Sequence, residues 1–319
     1  MRDQARYTSQ GGNPLRICYA FRRGTYYPFA AGEAWNIPTG PERARFFAHV
    51  ADIGFDGMEL GLESFGGLAT TQAQATELQK ELRDAGVPCV AIRAGGGLSQ
   101  PNVAAQNRER LEKTVEIAGW IGAEIVNTAL GTPPRTVALD SGANGAPTSH
   151  GSSQTATEND FIRTAAVLHD IGEKAGAVGV DVTIEVHQHS IADNSWSTLH
   201  LLDLADSPHV FANPDLGNVY WTYDIPEETT EESIVALAPR SKYWHCKSLY
   251  RVHVPEIDHT YYVRVPLPDG DIDYRFAISA MHDAGYDGYL AIEGANTGDQ
   301  LHKDRKSVEY VKGLLAELG

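Results

Sequence analysis

The chain has 319 residues, 42% hydrophobic and 21% charged, an ordinary globular composition long enough to bury a large core without staples. With 42 acidic and 26 basic residues its formal net charge is −16, which repels phosphate backbones and anionic lipid headgroups, so neither nucleic acid nor membrane is an expected partner. No apolar run approaches a membrane-spanning length, and the polar start MRDQARYTSQGGNP lacks an apolar signal region; a cytoplasmic location is expected, with residues 1–14 as a flexible arm.

From there, strand and helix patterns alternate. RICYA reads as a first strand from Arg16; after a polar and aromatic stretch, PERARFFAHVADIG reads as a helix, with Phe46, Phe47, Val50 and Ile53 at helical spacing. GMEL, ending near Leu60, precedes the helix TTQAQATELQKELRDAG, and VPCVAI precedes AAQNRERLEKTVEIAGWIG. AEIVNTA is followed by a long loop and then TENDFIRTAAVLHDIGEKAGAVG. VDVTIE ends at Glu185 before SWSTLHLLDLA, and VFANPD ends at Asp215 before ETTEESIVALA. KYWH ends the seventh strand around His245 to Lys247, ahead of a long loop and the helix DYRFAISAMHDAG. GYLAIE ends at Glu293 and HKDRKSVEYVKGLLAEL closes the chain.

Eight strand–helix units in a chain of this length predict an α/β fold, a (β/α)8 TIM barrel over 15–319, with long βα loops after strands 1, 4 and 7. A doubly wound sheet is the alternative, but FRRGTYYPF after the first strand is no dinucleotide fingerprint. HVADIGFDGMELG and MHDAGYDGYLAIEG repeat the order helix, Gly, aromatic, Asp-Gly, strand, acid; turn chemistry between helix and strand gives the same pattern. Cys18, Cys89 and Cys246 fall in strands without paired spacing and read as buried thiols, with Cys246 pointing away from its neighbour His245.

Glu185, Asp215, His245 and Glu293 end the last four strands, 30, 30 and 48 residues apart. A strand-end acid alone caps the next helix or binds backbone amides. Four such ends at one barrel rim form a site for a divalent cation, and three carboxylates with one imidazole suit Mn²⁺, with Mg²⁺ or Co²⁺ as alternatives. Such a centre beside carboxylates suits proton abstraction next to a carbonyl, giving isomerisation, epimerisation or elimination. His187 and Lys247 share the strand faces of Glu185 and His245; His187 reads as a substrate contact or a satisfied histidine, and Lys247 as an oxyanion stabiliser or an ion-pair partner. His189 lies further into the loop, and Asn218 is either turn chemistry or a positioning group. His150, in the Gly/Ser/Pro-rich fourth loop, is a candidate general base, and Tyr26, Tyr27, Phe29 and Trp35 of the first loop are candidate stacking groups for substrate. Gly95-Gly96-Gly97 lacks the Lys-Ser/Thr of a phosphate loop and reads as a tight turn.

TIEVH around Glu185, ANPDLGN around Asp215, WHCKS around His245 and PLPDGDIDYRFAISAMHDAGYDGYLAIEG before Glu293 resemble the xylose-isomerase-like sugar isomerase/epimerase superfamily of metal-dependent barrels. The resemblance implies that the four residues are metal ligands, with Glu185 and Glu293 also exchanging the proton. Where that family places an acid after the lysine of its His-x-Lys stretch, this chain has Ser248. Within the superfamily the large subunits of bacterial C-glycoside deglycosidases resemble it more, which implies elimination of an aryl aglycone from a 3-oxo-glycoside, a histidine base, and a small β-rich second subunit. An oligomer acting on a small carbohydrate is expected. A ketose isomerase or 3-epimerase is the alternative. A DNA-repair endonuclease shares the barrel, but the charge opposes it, and a sugar-binding barrel would hold no metal.

Overall fold

The computed structural model describes residues 15–21, 37–131, 137–141, 147–149, 152–221, 227–257, 259–295 and 298–318. Eight parallel strands, β1 Arg16–Ala20, β2 Gly57–Gly61, β3 Cys89–Arg93, β4 Ile125–Ala129, β5 Asp181–Glu185, β6 Val210–Asn213, β7 Tyr243–Cys246 and β8 Tyr289–Ile292, form one sheet in the order β6-β5-β4-β3-β2-β1-β8-β7. The two ends meet through the Ala212–Ser241 bridge and the Lys242 amide, which donates to the Ala212 carbonyl at 3.3 Å, so the sheet is a nearly closed barrel. Around it run α1 Gly40–Ile53, α2 Gln72–Asp84, α3 Ala104–Ile121, α4 Glu158–Gly176, α5 Ser195–Ala205, α6 Thr230–Leu237, α7 Tyr274–Asp283 and α8 Gln300–Leu318, one after each strand. This is the (β/α)8 TIM barrel expected from the alternating pattern.

Local chemistry sets the boundaries. Capping boxes Thr71/Gln74, Thr157/Asp160 and Thr229/Glu232 start α2, α4 and α6, satisfying amides that have no partner in the first turn. Gly54 ends α1 at φ 102°, a left-handed conformation that a side chain resists, and Asp56 then accepts from the Ile17 amide at 2.7 Å to bring the chain into β2.

Alternation along the strands divides the apolar residues into two cores. Cys18, Ala20, Ala91, Ile125, Tyr243, Tyr289 and Ala291 belong to the small inner one. Their neighbours Ile17, Tyr19, Trp244, Cys246, Leu290 and Ile292 face the helices. Phe46 and Phe47 of α1 are buried there beside Tyr19, and each such side chain contributes about 1.5–3 kcal/mol of burial. Cys246 therefore backs onto the helix layer while His245 points into the barrel, and all three cysteines are buried free thiols.

Two extended connections carry strands of their own. Val137–Ser141 and Pro147–Ser149 form a short antiparallel ribbon after β4. After β7, Ser248–Val254 and His259–Val265 form a hairpin with seven paired positions, where the sequence suggests only a loop. Its β-branched and aromatic alternation fits the hairpin, but the polar residues interspersed in it resemble loop composition. The tight turn expected over Gly95-Gly96-Gly97 falls slightly later, at 97–100, where the Gln100 amide donates to the Gly97 carbonyl at 3.1 Å.

Candidate metal centre

Every strand of the barrel runs toward the same rim, and the four candidate ligands gather there. One donor atom each from Glu185, Asp215, His245 and Glu293 lies within 4.8 Å of all the others, and all four residues are buried. Only Glu185 is the last residue of its strand. Glu293 follows β8 directly, and His245 is the third of four residues in β7. Asp215 lies two residues past β6 and caps a five-residue helical turn, Leu216–Tyr220, with its Oδ1 accepting from the Asn218 amide at 3.2 Å. Capping and a place in the cluster are compatible at Asp215: Oδ1 caps, and Oδ2 meets Asn218 and Lys247.

His245 lies between two sets of carboxylates. Its Nδ1 is 3.3 Å from Glu185 Oε2 and 3.4 Å from Glu293 Oε1, while its Nε2 is 2.6 Å from Glu59 Oε2. Beneath the cluster, polar side chains form a buried layer. Asn127 donates to Glu185 Oε2 at 3.0 Å and accepts from Thr183 and Asn213, while the side-chain Oδ1 of Asn213 receives the His245 amide at 2.7 Å. Asn218 ties two ligands together, donating to Glu185 Oε1 at 3.2 Å and Asp215 Oδ2 at 2.9 Å, and it also bonds the Val186 carbonyl. Its expected positioning role rests on these three contacts.

Lys247 is the cluster's buried cation, with Nζ 2.6 Å from Asp215 Oδ2 and 3.2 Å from Glu293 Oε2. Burial opposes ionisation of Glu185, yet His245 holds its carboxyl well below the usual range. Asp215 is shifted the other way: burial raises it, Lys247 opposes, and Glu293 and Glu185 add to the rise. Three buried carboxylates crowding one another are short of positive charge, and a divalent cation supplies it. The donor set, its burial and the amides that orient it fit such an ion.

The rim was legible only in part. His187 is half-buried, with Nδ1 2.8 Å from the Gln188 carbonyl, and His189 is exposed with φ 57°. His150, Tyr26, Tyr27, Phe29 and Trp35 lie outside the described residues, as does the 1–14 arm. The structure instead supplies aromatics that the sequence reading missed. Tyr262 of the hairpin meets Tyr220 and Trp221, each at 6.1 Å between ring centres. Arg264, two residues along the same hairpin face, has its guanidinium 5.7 Å from the Trp221 ring and 3.7 Å from Glu293 Oε2. The only sequence signal for Tyr262 and Arg264 was the length of the seventh loop, while Tyr220 and Trp221 follow the sixth strand.

Among curated proteins none matches the chain. Solved structures share its fold. A xylose isomerase-like TIM barrel protein from Mycobacterium smegmatis in complex with magnesium superposes with a TM-score of 0.73 at 18% identity, covering 95% of this chain and 97% of that one. An L-ribulose 3-epimerase gives 0.68 at 19% identity, covering 95% of both chains. The 3-keto-D-glucoside 4-epimerase of E. coli gives 0.66 at 14% identity, covering 94% of this chain and 99% of that one. At the level of sequence, residues 47–314 match the family described as xylose isomerase-like TIM barrel. The chain belongs to the xylose isomerase-like TIM barrel family.

Proposed function

We propose that this protein is a divalent-metal-dependent enzyme that moves a proton at the carbon next to a sugar carbonyl, as an isomerase or epimerase. The observation that carries the reading is the convergence of Glu185, Asp215, His245 and Glu293 on one buried point at the open rim of the strands. These four residues would hold the cation, Mn²⁺ first, with Mg²⁺ or Co²⁺ as alternatives. When bound, the ion supplies Lewis acidity toward a carbonyl oxygen.

The chain's own residues do the rest. Glu185 and Glu293, on β5 and just past β8, flank His245, so one takes the carbon-bound proton and the other returns it from the opposite side. Lys247 Nζ lies between Asp215 and Glu293 and donates toward the oxygen on which negative charge develops. Arg264, 3.7 Å from Glu293, with the Trp221 and Tyr262 rings beside it, would shield one side of the reacting carbon, and the half-buried His187 would meet a substrate hydroxyl.

A second reading keeps the same proton abstraction and ends in elimination, as in a C-glycoside deglycosidase. The Tyr220–Tyr262–Trp221 group favours it, because an edge-to-face and tilted aromatic surface suits an aryl aglycone. In that reading His150 acts as base, Tyr26, Tyr27 and Trp35 extend that surface, and a small β-rich subunit completes the enzyme. A cytoplasmic oligomer belongs to both readings. Among the described residues no helix is long and apolar enough to cross a membrane.

The test is proton exchange. Protein loaded with Mn²⁺ is incubated in D2O with L-ribulose, D-fructose and a 3-oxo-aryl-glucoside. Deuterium at the carbon beside the carbonyl and a new sugar isomer support the first reading, and release of a carbon-linked aryl aglycone, its ring carbon taking up a proton as the carbon–carbon bond breaks, supports the second. No exchange into L-ribulose or D-fructose sinks the first reading, and no exchange into the 3-oxo-aryl-glucoside with the β-rich subunit added sinks the second.

A further inference from the structure

Glu59 belongs to no part of the proposed proton transfer, yet it is fully buried beside the centre. It is the third residue of β2, inside the barrel and fully buried. Three strands away by sheet order, His245 turns its Nε2 to within 2.6 Å of Glu59 Oε2. Arg93, at the end of β3, approaches the other carboxylate oxygen at 3.3 Å and donates to the Phe21 carbonyl at the same distance. Below the imidazole the Tyr243 ring packs edge-on at 5.3 Å, and its hydroxyl borders Glu59 and Cys18. The ring is thus held on three sides, with only its Nδ1 edge facing the cluster.

A buried ion pair is weak evidence for stability, because an apolar replacement of similar volume often serves the fold as well. A carboxylate placed in the barrel interior therefore calls for another role. Paired with the Arg93 guanidinium, Glu59 presents a carboxylate, which only accepts hydrogen bonds, and this geometry assigns the proton to the Nε2 of His245 opposite it. In a neutral imidazole the lone pair is then on Nδ1, the nitrogen that faces Glu185 and Glu293. The negative charge behind the ring also makes that lone pair more basic.

We propose that Glu59, steadied by Arg93, is the positioning residue of the metal centre: it fixes the tautomer and tilt of His245 and so sets how tightly the cation is held. The inference rests on the reading that the quartet binds a metal. It concerns a residue that touches neither cation nor substrate, and it assigns β2 and β3, on the far side of the barrel from most of the ligands, a part in the site.

The test is Mn²⁺ binding by metal-stripped protein, with free Mn²⁺ read from its electron paramagnetic resonance signal, for wild type, Glu59→Gln, Glu59→Leu and Arg93→Gln. Removing such a partner weakens binding about 10- to 100-fold, and that loss is expected for Glu59→Leu. Glu59→Gln keeps an acceptor without the charge and should recover part of the affinity; Arg93→Gln leaves the carboxylate less fixed and should lose less than Glu59→Leu. The visible absorption of the Co²⁺-loaded variants should change with the imidazole's orientation. Thermal melting of the metal-free proteins reports folding separately. A folded Glu59→Leu that binds Mn²⁺ as tightly as wild type, with an unchanged Co²⁺ spectrum, overturns the role of Glu59 while leaving the quartet intact. If Glu59→Leu does not fold, unchanged affinity in both Glu59→Gln and Arg93→Gln does the same. A wild type that binds no Mn²⁺ overturns both readings.

Discussion

Lys247 Nζ lies 2.6 Å from Asp215 Oδ2, so one candidate metal ligand is already paired with a buried cation of the chain itself. The lysine neutralises part of the carboxylate cluster and repels an incoming cation. Replacing it with methionine, which keeps the stem, separates the two effects. At about 4 Å, like charges interact by about 1 kcal/mol in water and about 4 kcal/mol in a protein-like medium. Lys247→Met should therefore bind Mn²⁺ about tenfold or more tightly by calorimetry, while its metal-free form melts at a lower temperature and its kcat falls about 100-fold. Weaker Mn²⁺ binding would show that the lysine orients ligands rather than competing with the ion.

Gly217 makes that pairing possible. A Cβ at this position would overlap the Lys247 side chain near its root, which cannot swing aside as its tip can. Gly217→Ala should displace the lysine from Asp215 and destabilise the metal-free protein by about 1–3 kcal/mol in urea unfolding. In combination with Lys247→Ala, which removes the stem that the new Cβ would overlap as well as the ion pair, the losses should not add. Full additivity would place the effect of the glycine elsewhere.

The quartet itself makes the simplest prediction. His245→Ala and Glu185→Ala should each lose metal, by elemental analysis of the purified protein, and activity in step with it. Full metal content in both variants would remove these residues from the centre.

Arg264 reaches the cluster from the hairpin and touches Glu293 at 3.7 Å. If it orients substrate, Arg264→Ala should raise KM about tenfold with a smaller change in kcat and no change in bound metal, because binding shared by ground and transition states acts on KM. A large fall in kcat at constant KM would place the guanidinium in the chemical step.

Asp193 offers a pH test away from the centre. It accepts from the Ser153 amide at 3.2 Å, joining the segment after the fourth-loop ribbon to the β5–α5 connection. Burial pushes its carboxyl up to about 6, with Glu227 adding to the rise against the Ser153 hydrogen bonds. Between about pH 4 and 6 the unfolded chain has lost this proton while the folded protein still holds it, so stability falls as pH rises through that window. The loss is at most about 3 kcal/mol, complete above pH 6. Asp193→Asn keeps an acceptor for Ser153 and removes the charge. Denaturant unfolding at pH 7 should find it more stable than wild type, and the difference should vanish near pH 4. A variant that is less stable at pH 7 would mean that the ionised form is the favoured one.

Much of the barrel was legible in the chain, because its signals are local. Phe46, Phe47, Val50 and Ile53 show helical spacing whatever α1 packs against, and Thr71 with Gln74 signals a helix start within four residues. The hairpin at 248–265 was not legible, since its alternating residues resemble a polar loop until two strands pair. Asp215 looked like a strand end because it closes the stretch VFANPD, whereas the strand stops two residues earlier, at Asn213, and Asp215 caps the turn that follows. Glu59 stood in view within GFDGMELG, paired with the stretch before Glu293, but nothing nearby in sequence marks it as a partner of His245.

By itself the sequence determined the eight alternating units and the residue types at the ends of the last four strands. Hydrophobic period and turn chemistry act over a few residues, and strand polarity brings all C-terminal ends to one rim. The tertiary structure alone decided which side chains meet there: Glu59 behind His245, Lys247 between Asp215 and Glu293, and Arg264 above them. Those contacts depend on sheet closure and register, which join residues 186 positions apart in the case of Glu59 and His245, and no local pattern encodes such a distance.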